Sequence, residues 1–114
     1  MEYKKHLSEP WFSLIKLGIK QCEGRLKKGD FSKMKKGDYI QFENNDFGFP
    51  RSFNCKITSV VNYNSFKDYL ENETLEKCLP TIDTIDQGVS IYYNYYTKND
   101  KKLYKIISIR FKTL

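Results

Sequence analysis

Three charged residues crowd the stretch LGIKQCEGRL, residues 17–26: Lys20, Glu23 and Arg25, with glycines at 18 and 24. In a strand, residues i and i+2 share a face, so Glu23 and Arg25 point one way while Cys22, Gly24 and Leu26 point the other. Lys20 lies at the junction with a preceding apolar run, where strand parity does not fix its direction. Turned to the same side, the three supply a point-charge donor, an acceptor carboxylate and a planar fork of donors. That set suits a phosphate beside a base, or an amide or urea-like edge. The same residues could equally form an internal ion-pair network that fixes the junction. The flanking glycines would leave room for a ligand to approach the backbone.

The surrounding chain has 114 residues, enough for a single domain spanning 1–114. Nine Tyr, eight Phe and one Trp supply large buried areas for a short chain. Apolar runs fall short of the roughly 20 residues a membrane helix needs, and the N-terminal segment lacks the apolar stretch of a secretory signal. The expectation is a soluble intracellular protein, cytoplasmic or nuclear, with no membrane association. The three cysteines Cys22, Cys55 and Cys78 are odd in number and far apart, and His6 is the sole histidine. Neither a disulfide framework nor a metal site is expected, and no cofactor is implied. The thiols read as small buried hydrophobes.

Net charge is +6 and unevenly spread. Lys16 to Lys36 holds eight Lys/Arg against two acids, and Lys98 to Lys112 holds six against one. Lys67 to Asp86 reverses this, with two Lys against six Asp/Glu. Two basic segments meeting on one face would form a footprint for a polyanion. A lysine-rich solvated surface accounts for the same charges. Abundant Lys, Asn, Ile and Tyr fit an AT-rich genome such as that of a virus.

The elements that must position these residues follow from periodicity. Residues 8–17 read as a helix capped by Ser8, with Pro10 in its first turn and Trp11, Leu14, Ile15 and Gly18 on one stripe. Gly18 stops it, and KQCEGRL is a first strand. A helical turn near Asp30 faces Phe31 and Met34 inward, and Gly37-Asp38 launches a strand through Ile40 and Phe42. NNDFGFPRS is a loop, and FNCKITSVV is a strand antiparallel to the one before it. Ser65 and Asp68 open two short helices carrying Phe66, Tyr69, Leu70, Leu75 and Leu79. Helical spacing continues through Ile85, Val89, Tyr92 and Tyr96. TKNDKK reads as a loop and LYKIISIRFKTL as a final strand. The sum is a small α+β domain whose short strands suggest a partly closed barrel.

Gly18, Lys20, Glu23 and Arg25 match the pattern G-x-K-x-x-E-x-R. With Pro10-Trp11 before it and Gly37-Asp38 after it, residues 6–43 resemble the ASCH domain family, a branch of the PUA-like β-barrels. The resemblance implies a PUA-like β-barrel with flanking helices and a central cleft lined by Lys20, Glu23 and Arg25. It also implies binding of RNA or other nucleic acid. Some small bacterial members are amidohydrolases that deacylate acetylated cytidine, using the lysine that matches Lys20. There a threonine stands where this chain has Glu23, and a carboxylate cannot replace a hydroxyl nucleophile without a change of mechanism. A catalytic acid in those enzymes comes from the later helices, where Glu71, Glu73 and Glu76 are available.

Two functions follow as expectations. In the first, the cleft takes a base or nucleotide through Lys20, Glu23 and Arg25 while Lys27, Lys28, Lys35 and Lys36 hold an RNA backbone. Aromatics near Tyr95, beside Lys98, Lys101 and Lys102, are candidates for base stacking. In the alternative, an amidohydrolase acts on an acylated nucleoside such as acetylcytidine, with Lys20 and Glu23 catalytic. A third possibility is a partner-binding face along the acidic segment 67–86.

Overall fold

The computed structural model describes the backbone of residues 1–114 and every side chain except that of Lys101. Five strands form one sheet: β1 (Glu2–His6), β2 (Cys22–Leu26), β3 (Tyr39–Asn44), β4 (Arg51–Tyr63) and β5 (Ile106–Thr113). Their order is β1-β3-β4-β5-β2, with β1 parallel to β3 and every other pair antiparallel. The sheet curls into a half-barrel, the PUA-like α+β architecture expected, with β1 and β2 as its two free edges. A register shift between Ile57 and Ser59 marks a bulge in the long β4, where an extra residue bends the strand and tightens the curl.

Alternation along each strand separates two cores. On the inner face Ile40, Phe42, Cys55, Ile57, Ile107 and Ile109 are sealed from solvent. The short helix α1 (Trp11–Lys16) plugs this face with Phe12 and Ile15, the Phe12 ring meeting Phe53 edge-on at 4.9 Å. The predicted stripe of Trp11, Leu14, Ile15 and Gly18 is therefore rotated: Phe12 replaces Trp11 inward, and Trp11 is half-buried. Ser8 does not cap this helix. Pro10 takes the cap position, and the Glu9 carboxylate accepts the Ser13 backbone N–H (2.9 Å) and hydroxyl (2.6 Å) instead. Gly18 ends the segment at φ +78°, as its placement predicted.

The opposite face of β2 and β5 carries the second core beneath α2 (Phe66–Glu73), α3 (Leu75–Cys78) and α4 (Ile85–Tyr93). Phe66, Tyr69, Leu70 and Leu79 are buried as the spacing predicted, and Leu75 is partly so. Side-chain oxygens satisfy orphan N–H groups at two helix starts, Ser65 to Asp68 at 3.0 Å and Thr84 to Gln87 at 3.2 Å. Each such cap contributes about 1 kcal/mol. Two elements depart from the sequence reading. Residues 98–103 form a helix, α5 (Lys98–Leu103), rather than a loop, because Thr97 and Asp100 make a reciprocal capping box. The N-terminal EYKKH forms β1, a strand the sequence reading did not include, held in parallel register by β3 and burying Tyr3.

Gly24 takes part in the second core by having no side chain. A Cβ there would lie 2.5 Å from the Tyr69 ring, which fills the space instead of leaving it to a ligand. Tyr69 is fully buried and donor-linked to Tyr92 at 3.1 Å, so it has no room to yield. Gly24→Ala should therefore lower stability by about 2 kcal/mol in urea denaturation. At Gly88 a Cβ meets only terminal methyls, of Leu70 (2.8 Å), Leu75 and Leu79, which turn aside more readily than a ring. The gain in helix propensity there offsets the crowding, so Gly88→Ala should change stability by less than about 1 kcal/mol.

Candidate functional site

The curl brings the two free edges of the sheet toward each other. Phe31, in the 3₁₀ turn Gly29–Ser32, receives the Lys5 ammonium from β1 at 4.9 Å and the Arg25 guanidinium from β2 at 5.0 Å. Beside this closure the seam opens into a cleft of about 450 Å³. One wall comes from the end of β1, with His6, Leu7 and Ser8; the other comes from β2, with Glu23, Gly24 and Arg25. Trp11, Tyr92 of α4, and Tyr95 and Tyr96 in the turn beyond it line much of the rest.

Lys20, Glu23 and Arg25 converge here. Glu23 and Arg25 pair with Ile109 and Ile107 of β5, which fixes both side chains on the inner face. Lys20 sits in the connection from α1, whose backbone turns back so that both Ile19 and Lys20 donate to Leu14. Its side chain is 1% exposed. The ammonium donates to the Cys78 carbonyl, lies 3.6 Å from Glu23 Oε1 and sits 5.7 Å from the Trp11 ring. The other carboxylate oxygen of Glu23 is 3.7 Å from Arg25 Nη2. Arg25 is 24% exposed, so of the two cations it is the one that solvent reaches. Burial works to lower the Arg25 pKa, but the Glu23 carboxylate and the Tyr96 hydroxyl outweigh it and leave the value raised. Burial in turn pushes the Tyr96 phenol up despite the neighbouring guanidinium.

Apart from Tyr95, the remaining sequence candidates fall elsewhere. Lys27, Lys28, Lys35 and Lys36 are exposed and do not line the cleft. Lys27 and Lys28 directly follow β2. The Lys28 ammonium lies over Tyr104 at 5.4 Å and helps hold the Asp100 carboxyl low, after that residue's own capping bonds to Thr97. Lys35 and Lys36 lie in the connection to β3, where the Lys35 backbone N–H donates to Asp38 at 3.1 Å. Tyr95 is 63% exposed at the cleft rim; Lys98 and Lys102 are exposed, and the Lys101 side chain lies outside the described residues. Glu71 and Glu76 are exposed. Among the described residues no cluster of His, Cys, Asp and Glu could hold a metal ion, and no helix is long and apolar enough to cross a membrane.

His6, Leu7 and Ser8 complete the cleft, and the sequence reading gave them no role there. Their position depends on β1, whose charged EYKKH carries little alternation. Only the burial of Tyr3 hints at a strand.

Glu73 is buried on the far side of the sheet. Its carboxylate accepts from Ser108 Oγ at 2.5 Å and, in a two-point clasp, from Arg110 Nε at 2.8 Å and Nη2 at 2.7 Å. Ser108 and Arg110 pair with Gly24 and Cys22, on the face opposite Glu23. Glu73 therefore cannot serve the cleft.

A PUA-like half-barrel with an ion-paired seam defines the class of protein. A model of the ASCH domain matches residues 6–113, and the chain belongs to the ASCH domain family. Two solved structures agree over the whole chain. The crystal structure of the hypothetical protein PH0355 matches with TM-score 0.90 and 32% identity, covering 100% of both chains. The solution NMR structure of protein PF0455 from Pyrococcus furiosus matches with TM-score 0.81 and 33% identity, covering 100% of this chain and 98% of that one. No curated protein matches the chain.

The Glu73 clasp gives a pH signature. Burial works to raise the carboxyl, but hydrogen bonds from Arg110 and Ser108 outweigh it and hold the pKa below the ordinary 4.5. A folded value below the unfolded one contributes stability that is complete above the unfolded value and is lost as pH falls through the folded one. Stability measured by urea denaturation should decline between about pH 5 and pH 3. Glu73→Gln should cost about 2 kcal/mol at pH 7 and make that decline shallower.

Proposed function

We propose that residues 1–114 act as one nucleic-acid-binding module, with single-stranded RNA as the partner and the seam cleft as the seat of one base or nucleotide. The observation that carries this reading is the pairing of chemistries in one hollow: Lys20, Glu23 and Arg25 on one side, and Trp11, Tyr92, Tyr95 and Tyr96 around it. Arg25 offers donors with its fork partly open to solvent, Glu23 offers an acceptor, and the exposed Tyr95 ring at the rim supplies a face on which a base stacks. Stacking of this kind contributes about 1–3 kcal/mol per base. Glu23 holds both cations at 3.6 and 3.7 Å, distances that leave the Arg25 pair open to displacement by a guest. The family supports nucleic-acid binding in general. The exposed Lys27 and Lys28, at the end of the strand that bears Arg25, are suited to phosphates leaving the cleft. Lys35 and Lys36 extend the same basic segment.

Amide hydrolysis draws less support from the same geometry. The Lys20 ammonium is sealed, donates to the Cys78 carbonyl and faces Glu23, so it is engaged on each side rather than poised to take a proton from water. Glu73 is committed to Arg110 on the far face. Acetylcytidine incubated with the protein and followed by chromatography should show no more deacetylation than a Lys20→Ala control.

Filter binding to single-stranded and duplex RNA across a salt series tests the binding reading. Affinity for single strands should fall linearly on a log–log plot as salt rises, since each neutralised phosphate releases counterions with a slope of about −0.7. Replacing Lys27, Lys28, Lys35 and Lys36 together with glutamine should flatten that slope by about 3. Arg25→Ala should weaken binding at least about tenfold at every salt concentration while changing the slope by less than about 1. No binding at low salt, or full binding by both variants, would overturn the proposal.

A further inference from the structure

Two of the three thiols, expected from the sequence to be unconnected, meet between the sheet and its helical cover. Cys22 Sγ lies 3.1 Å from Cys78 Sγ, although the residues are 56 positions apart in the chain. Both are free and buried. Cys22 begins β2 and Cys78 ends α3, and the surrounding backbone ties the two together. The Gln21 N–H donates to the Lys77 carbonyl at 2.9 Å, and the Lys20 ammonium donates to the carbonyl of Cys78 itself. A disulfide has its sulfurs about 2.05 Å apart, so a relative movement of about 1 Å would close the bond.

The two thiols are unequal in a way that suits this chemistry. A hollow of about 410 Å³ on the outer face is lined by Cys22, together with Glu73, Lys77 and Arg110, and opens to solvent. Cys78 does not line it. Cys22 is thus the residue of the pair that borders a solvent-open hollow. The hydrogen bond with Cys78, joined by the charge of Lys20, outweighs burial and lowers the Cys22 pKa. The Cys22 thiolate, together with burial, pushes the Cys78 thiol up. Cys55 stands apart: it sits beside Thr113 on the inner face, and burial pushes its thiol up to about 11.

We propose that Cys22 and Cys78 are a redox pair that forms an intramolecular disulfide when the protein meets a hydroperoxide. The Cys22 thiolate attacks one peroxide oxygen and breaks the O–O bond, giving a sulfenic acid and releasing hydroxide. The Cys78 sulfur then attacks the Cys22 sulfur, the S–S bond forms, and the sulfenic oxygen leaves as a second hydroxide. The thiol protons neutralise both. Two thiols and one hydrogen peroxide thus become one disulfide and two waters, and an external dithiol reverses the change. The bridge joins the strand that carries Glu23 and Arg25 to the residue whose carbonyl holds Lys20, so oxidation fixes the floor of the cleft.

The full chain, reduced, freed of reductant and treated with hydrogen peroxide, is denatured in the presence of N-ethylmaleimide and weighed. The expected product is monomeric, has lost two hydrogens and carries one maleimide adduct instead of three. Its tryptic map should join the peptide of Cys22 to that of Cys78 and place the adduct on Cys55, and dithiothreitol should restore all three adducts. Closing a long loop should raise the melting temperature of the oxidised chain by about 10 °C. Cys55→Ala should retain the bridge and the rise, while Cys22→Ala should lose both. Three adducts after peroxide, a bridge that includes Cys55, a disulfide-linked dimer, or sulfinic acid at Cys22 without a bridge would each overturn the proposal. The wild-type peptide map decides the matter if a variant does not fold.

Discussion

The constraint on which the rest of the molecule turns is the buried ammonium of Lys20. Removing a cation from water costs several kcal/mol unless partners replace its hydration. Here the Cys78 carbonyl, the Glu23 carboxylate and the face of Trp11 do so, each from a different part of the chain. To satisfy one charge, the end of α3 must dock on the start of β2, Glu23 must face the inside of the curl, and α1 must turn Trp11 toward the seam instead of into the core. The rotation of α1 by one residue, with Phe12 rather than Trp11 facing the sheet, accords with this demand. Arg25 then inherits a carboxylate already fixed by its neighbour and needs no ordering of its own.

The sheet divides polar work between its faces. Inside the curl, Lys20, Glu23 and Arg25 sit at the open seam beside aromatics. Outside it, Glu73 joins Arg110 and Ser108 under α2, with shorter and more directional contacts. The two carboxylates differ in consequence. Glu73 has its acceptor capacity largely filled by protein donors and acts as a fastener between helix and strand. Glu23 faces cations at 3.6 and 3.7 Å on the border of a hollow. Gly24 lies between these layers and lets the Tyr69 ring close on the strand that carries Glu23.

Much of this was legible in the residues, and what was not has physical reasons. The parity of CEGRL placed Glu23 and Arg25 together, because β2 pairs with a strand buried on both faces and cannot slip without exposing isoleucines. Ser65 and Gly18 marked element ends through local bonds and local φ, which depend on few residues. The Thr97–Asp100 spacing carries the same signal as Ser65–Asp68. It was masked by a run of lysines and asparagine that resembles a loop. β1 and the tilt of α1 were not legible, since both are set by partners distant in the chain: β3 for the one, and Phe53 with Lys20 for the other. The meeting of Cys22 and Cys78 is of the same kind.

The free edges of the sheet have a consequence of their own. β1 and β2 are each hydrogen-bonded on one side only, and an exposed edge of that kind is a template on which a second chain can add a strand. Curling turns both edges toward one hollow, where Phe31 closes one end and bulky phenols stand at the rim. A foreign strand approaching from solvent meets rings and charged heads before it reaches unpaired backbone. The architecture that shapes the cleft therefore also guards a small, aromatic-rich protein against self-association into extended sheets.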